Sequence, residues 1–157
     1  EARIQNKVSR EQLEEEWSGR GIKDPVQYAV LTDAISVATF DITTKEHKEI
    51  KGLRSQSLRD NMTPIELTLT TLGEQATKEI AKTKDAIGMF QNTEAAKAGG
   101  NIAKVARLQL EDATKTKVVS SQNYLTERQR KDTALGDGFG EVVKKIIAEK
   151  RPKNKNK

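Results

Sequence analysis

Cysteine is absent from all 157 residues, and histidine occurs once, at His47. Without thiolates neither a disulfide frame nor a Cys-ligated zinc site can form, and a metal site would have to be assembled from carboxylates around one imidazole. No metal or cofactor is therefore expected. Aromatic residues make up 4% of the chain and apolar residues 34%, against 32% charged, a balance that suits long two-faced helices better than a thick interior. No apolar run approaches the roughly 20 residues of a membrane span, and no charged-then-apolar leader opens the chain. These absences give the expectation of a soluble, cytoplasmic protein that makes no membrane contact. The first residue is Glu1 rather than Met, which leaves a missing upstream domain open.

Reaction chemistry is equally sparse. Ser55, Ser57, Ser120 and Ser121 sit beside no base. Gly136-Asp137-Gly138-Phe139-Gly140 lacks the Gly-Lys-Ser/Thr ending of a phosphate loop, so it reads as a connector. Asp60 and Glu66 are the nearest approach to paired carboxylates, but Glu66 is explained by helix capping and Asp60 by local backbone bonding or pairing with Arg59. No catalytic residue is assigned, and the expected role is non-enzymatic.

What is present is charge and helix punctuation. The net charge of +5 is concentrated at one end: ten Lys or Arg face four Asp or Glu from Arg128 to Lys157, which leaves 18 against 19 before it. Thr63-Pro64-Ile65-Glu66 joins a capping box to Pro at the first helical position, the strongest helix start in the sequence. From it Ile65, Leu69, Leu72, Ala76, Ile80 and Ile87 recur at helical spacing, which predicts one long helix to about Gln91 and a turn near Asn92. A second long helix is expected from Thr93-Glu94, with Ala95, Gly99, Ile102, Ala103, Ala106 and Leu110 facing inward. Gly99-Gly100 fits a close approach of another backbone, with a kink as the competing outcome.

Upstream, Ser9-Arg10-Glu11-Gln12 reads as a capping box opening a short helix that carries Val8, Leu13 and Trp17 and stops at Gly19 and Gly21. Asp24-Pro25 starts the next, either unbroken or interrupted near Thr32-Asp33. Thr43-Thr44-Lys45-Glu46 starts a third, ended by Gly52, and Ser57 caps a single turn from Leu58 to Met62. Downstream, Ser121 is expected to cap a helix with Tyr124 and Leu125. Glycines 136, 138 and 140 then form a hinge, followed by an apolar stripe of Val142, Val143, Ile146 and Ile147. The expected fold is all-α, an antiparallel pair of long helices with shorter helices packed around it. Its divisions are a helical core over 1–127, a Gly-hinged C-terminal helix over 128–150 and a disordered basic tail over 151–157.

Lys45, Lys48, Lys51, Arg54 and Arg59 form a basic patch just before the long helix, interleaved with Glu46, Glu49 and Asp60. Such a patch can meet phosphates, and such mixed charge is also an ordinary solvated surface.

The runs Tyr28-Ala29-Val30-Leu31-Thr32-Asp33, Lys48-Glu49-Ile50-Lys51-Gly52-Leu53 and Leu58-Arg59-Asp60-Asn61-Met62-Thr63-Pro64-Ile65-Glu66-Leu67 resemble the C-terminal region of DNA-damage-inducible protein D and related Bro-N-domain, phage antirepressor-like proteins. Ala95-Ala96-Lys97-Ala98-Gly99-Gly100 with Ala103 and Arg107, and Val118-Val119-Ser120, are similar to the same family. The similarity spans roughly Arg10 to Tyr124. It implies a bacterial or phage regulatory module of the DNA-damage (SOS) response or of mobile elements, acting on DNA or on a DNA-bound protein such as a recombinase filament. Lys48, Lys51, Arg54, Arg59 and Arg107 are the candidate contact residues. The alternative is a protein-interaction or oligomerisation domain, such as a homodimer, with no nucleic-acid contact of its own.

Overall fold

A computed structural model describes residues 1–134. Among them every regular element is helical: α1 (Ala2–Gly19), α2 (Pro25–Phe40), α3 (Thr44–Ile50), a 3-10 turn at Arg59–Asn61, α4 (Pro64–Thr83) and α5 (Gly88–Thr114). None of these helices is long and apolar enough to cross a membrane. The chain divides into two compact units, Glu1–Asn123 and a second that begins at Tyr124.

Three starts form as their sequences predict. Asp24, Thr43 and Thr63 each accept from a backbone N–H of the first turn, and Gln27, Glu46 and Glu66 reach back to the cap N–H. Such boxes satisfy donors the helix leaves orphaned, each cap contributing about 1 kcal/mol. α2 runs unbroken through Thr32-Asp33. Asp33 instead accepts from the N–H and hydroxyl of Thr44, tying α2 to the start of α3.

Elsewhere the boundaries move. α1 begins at Ala2, so Ser9 is not a cap; it lies buried in mid-helix and accepts from Gln75 Nε2 at 3.0 Å. α4 stops at Thr83, and the chain reverses through Asp85 at φ 47°. Asn92 is therefore no turn residue. It lies buried in the first turns of α5, its amide donating to Gly88 O at 2.9 Å.

α1 and α4 run parallel, as the ascending pairs Asn6–Thr71, Ser9–Gln75 and Gln12–Lys78 show. α4 and α5 are the expected antiparallel pair, with Gly99 against Thr77 and Gly73 against Ala103. α2 lies along α5, with Ile35 and Ala38 at Gly100. A Cβ on Gly99 would overlap Thr77 backbone, and one on Gly100 would meet Ile35 O at 2.8 Å, so the glycines permit contact between helix backbones and α5 continues through them. Leu13, Trp17, Ile22, Leu31, Ile35 and Ala96 close the core near the α1–α2 turn. Full burial of each large side chain contributes about 1.5–3 kcal/mol.

The apolar seam proposed for α4 is out of phase with its buried face. Ile65 and Leu72 are each 38% exposed, while Glu66, Leu67, Leu69, Gly73, Glu74, Thr77 and Ala81 are buried. On α5, Ile102 is exposed and Asn92, Arg107 and Glu111 are buried. The inward faces carry paired polar groups, which a hydrophobic periodicity cannot register.

In the second unit residues 127–134 are helical. Thr126 caps them, accepting from Gln129 N at 3.2 Å while Gln129 Oε1 accepts from Thr126 N at 2.9 Å. Ser121 and Tyr124 stand outside that helix. The expected glycine hinge, the 142–147 stripe and the basic tail lie outside the described residues.

Candidate functional site

Because α1 starts eight residues before a Ser9 helix would, Arg3, Lys7 and Arg10 fall at i, i+4 and i+7 on one helical stripe. That stripe and the 3-10 turn carrying Arg59 border a groove of about 420 Å3, lined by Arg3, Lys7, Arg10 and Arg59 together with Glu11 and Asp60, and Lys7 lies 4.0 Å from Glu11.

Arg59 is the hinge of the site. Its Nη1 donates to Asn6 Oδ1 at 2.6 Å and to Glu74 Oε2 at 3.4 Å, and Nη2 donates to Glu74 Oε1 at 2.5 Å. The Glu74 side chain is fully buried, whereas that of Arg59 is 29% exposed, so the pair joins the interior to the groove. Arg10 approaches the same carboxylate at 3.7 Å through Nη1, donates from Nε to Glu14 at 2.6 Å and lies over the Trp17 ring. Arg10 Nη1 is buried without a hydrogen-bond partner.

The other expected contact residues are not gathered on this surface. Lys51 is buried, and its ammonium pairs with Glu66 Oε2 at 2.8 Å and donates to Ser120 O and Gln122 O at 3.0 and 2.7 Å. Arg107 is also buried, donating to Thr39 O, Asp41 and Glu111. Ion pairing inside the fold accounts for both, which corrects their reading as surface contacts. Lys48 is partly exposed on α3 and Arg54 is exposed in the loop after it. Of the five, Arg59 alone borders the groove. Arg3, Lys7 and Arg10 were missed because the false cap at Ser9 hid the helix that aligns them. Their i, i+4, i+7 spacing was the available signal.

Glu66 is the centre of a second, enclosed cluster. Beyond Lys51 it accepts from Thr63 N at 2.8 Å and Ser120 N at 3.1 Å, and His47 Nε2 stands 3.6 Å away, beyond hydrogen-bond length. Burial opposes the ionised form, yet His47, Lys51 and the two backbone N–H groups outweigh it and hold the carboxyl at a pKa of about 2. His47 also meets the Phe40 ring edge-on. Among the described residues no three His, Asp or Glu groups are placed to hold a metal ion. The Glu66 cluster joins α3, the start of α4 and the segment at Ser120, so its work is structural.

Comparison of the chain with protein-family models, with curated proteins and with solved structures returns no match.

Proposed function

We propose that the helical unit is a non-enzymatic contact module that engages a polyanion, DNA, along the groove between α1 and the Arg59 turn. The observation that carries this reading is the convergence of Arg3, Lys7, Arg10 and Arg59 on one concave surface of a body otherwise close to charge balance. Guanidinium groups suit phosphate oxygens, and binding would draw on counterion release. Taken with the resemblance to DNA-damage-inducible and antirepressor-like proteins, the module belongs to a regulator that acts on DNA or beside a DNA-bound protein. The test is fluorescence anisotropy with labelled DNA. Arg3→Gln/Lys7→Gln should lower affinity at least about tenfold at low salt, since each lost phosphate contact weakens binding to every sequence alike. Unchanged affinity would remove the groove from the account.

A second reading draws on the outward flank of the long-helix pair. α4 turns Gly73 and Thr77 to α5 and Thr71 and Gln75 to α1, which leaves Ile65 and Leu72 outward; Ile102 and Val105 of α5 are about half exposed. This apolar surface suits a protein contact, including self-association. Leu72→Asp should then dissociate an assembly seen by sedimentation, and a chain that is monomeric throughout would exclude self-association.

A further inference from the structure

A cavity of about 190 Å3 lies between α2, the start of α3, the 57–62 turn and α4. Phe40, Leu58 and Met62, all buried, give it apolar walls. An apolar cavity of about 150 Å3 accommodates benzene, so one aromatic ring fits here. The Phe40 ring and the Met62 sulfur are neighbours that favour such a ring.

The polar part of the lining offers both kinds of hydrogen-bonding group. Thr32 donates to Tyr28 O at 2.7 Å, Ser36 to Ile42 O at 2.9 Å, Thr44 to Asp33 Oδ1 at 2.6 Å and Thr70 to Glu66 O at 2.9 Å. With those protons committed, the four hydroxyls retain lone pairs. Donors come from Ser57 and Arg59. Ser57 is exposed, its Oγ accepts from Asp60 N at 3.3 Å, and its own proton meets no acceptor among the described residues. The Arg59 guanidinium bonds Asn6 and Glu74 through its two Nη atoms, which leaves N–H groups over.

Charge is balanced within the lining. Its two charged side chains, Arg59 and Glu74, are each other's counter-ions, so a charged ligand would lose hydration and gain no unpaired partner. A hydroxyl, which donates and accepts without charge, matches these groups.

We infer that the cavity binds a small neutral aromatic ring that carries a hydroxyl, with the ring against Phe40, Leu58 and Met62 and the hydroxyl beside Ser57 and Arg59. Ser57 and Arg59 also line the groove, but the site does not rest on the DNA reading proposed above.

The chain has two methionines, which supply probe and control: Met62 lines the cavity, and Met89 packs in the Trp17 core. In the full chain with 13C-methyl methionine, phenol should shift the Met62 methyl saturably and leave Met89 in place. Benzene, which lacks the hydroxyl, should bind about fivefold more weakly, and benzoate, which brings a charge, at least about tenfold more weakly. Ser57→Ala should weaken phenol about threefold and leave benzene unchanged, with an unaltered thermal midpoint recording an intact fold. A Met62 signal unmoved by millimolar phenol overturns the inference, as does one that moves together with Met89. Benzoate binding as tightly as phenol overturns the neutral class. Benzene binding as tightly as phenol, or equal phenol and benzene losses in Ser57→Ala, overturns the hydroxyl contact.

Discussion

Glu66 closes the capping box of α4 and is also the counter-ion of buried Lys51. Its carboxyl is held near pKa 2 against an ordinary value of 4.5, so its contribution is complete above about pH 5 and is lost as the pH falls through 4.5 toward 2. The shift corresponds to about 3 kcal/mol. Urea unfolding should show stability falling over that acid range, and Glu66→Gln should flatten the fall while costing about 3–5 kcal/mol at pH 7, because Lys51 is left buried without its counter-charge. Gly99 gives a second test. A methyl there would collide with Thr77 backbone, which cannot swing aside, so Gly99→Ala should destabilise by about 2 kcal/mol or more despite the better helix propensity of Ala. Thermal unfolding reads the difference.

At the scale of the helix, legibility followed the range of the interactions. The boxes at Thr43 and Thr63 and the Asp24-Pro25 start depend on residues within one helical turn, and all three starts were readable. Ser9 carried the same local pattern without its role, since α1 continues upstream and the hydroxyl meets Gln75, 66 residues away. The inward face of α4 was misread because Glu66 and Glu74 are buried by partners elsewhere in the chain, Lys51, Ser120 and Arg59 among them. Beyond the Thr63 cap of Glu66, nothing near those glutamates announces their partners. The corrected phase is measurable: Leu69→Ala should cost about 2–5 kcal/mol in urea unfolding and Leu72→Ala below about 1.5 kcal/mol, whereas the apolar seam would make the two equal. The glycine pair was the exception, where the cost of two glycines in a helix correctly implied close packing.

For the whole molecule, the net charge of +5 says little about where a polyanion would sit, because residues before 128 are nearly balanced and the excess lies beyond them. The groove is a local concentration of cations in that balanced part, formed only when α1 and the Arg59 turn come together. The candidate site was thus legible at Arg59 and hidden at Arg3, Lys7 and Arg10. The direct measurement is the slope of log affinity for duplex DNA against log salt, taken for the native chain and for Arg3→Gln/Lys7→Gln. Contact through the groove predicts that the slope becomes shallower by about 2, one for each phosphate contact removed, with the thermal midpoint unchanged. Parallel slopes of equal intercept would contradict it, and DNA contact would then have to be sought outside the groove.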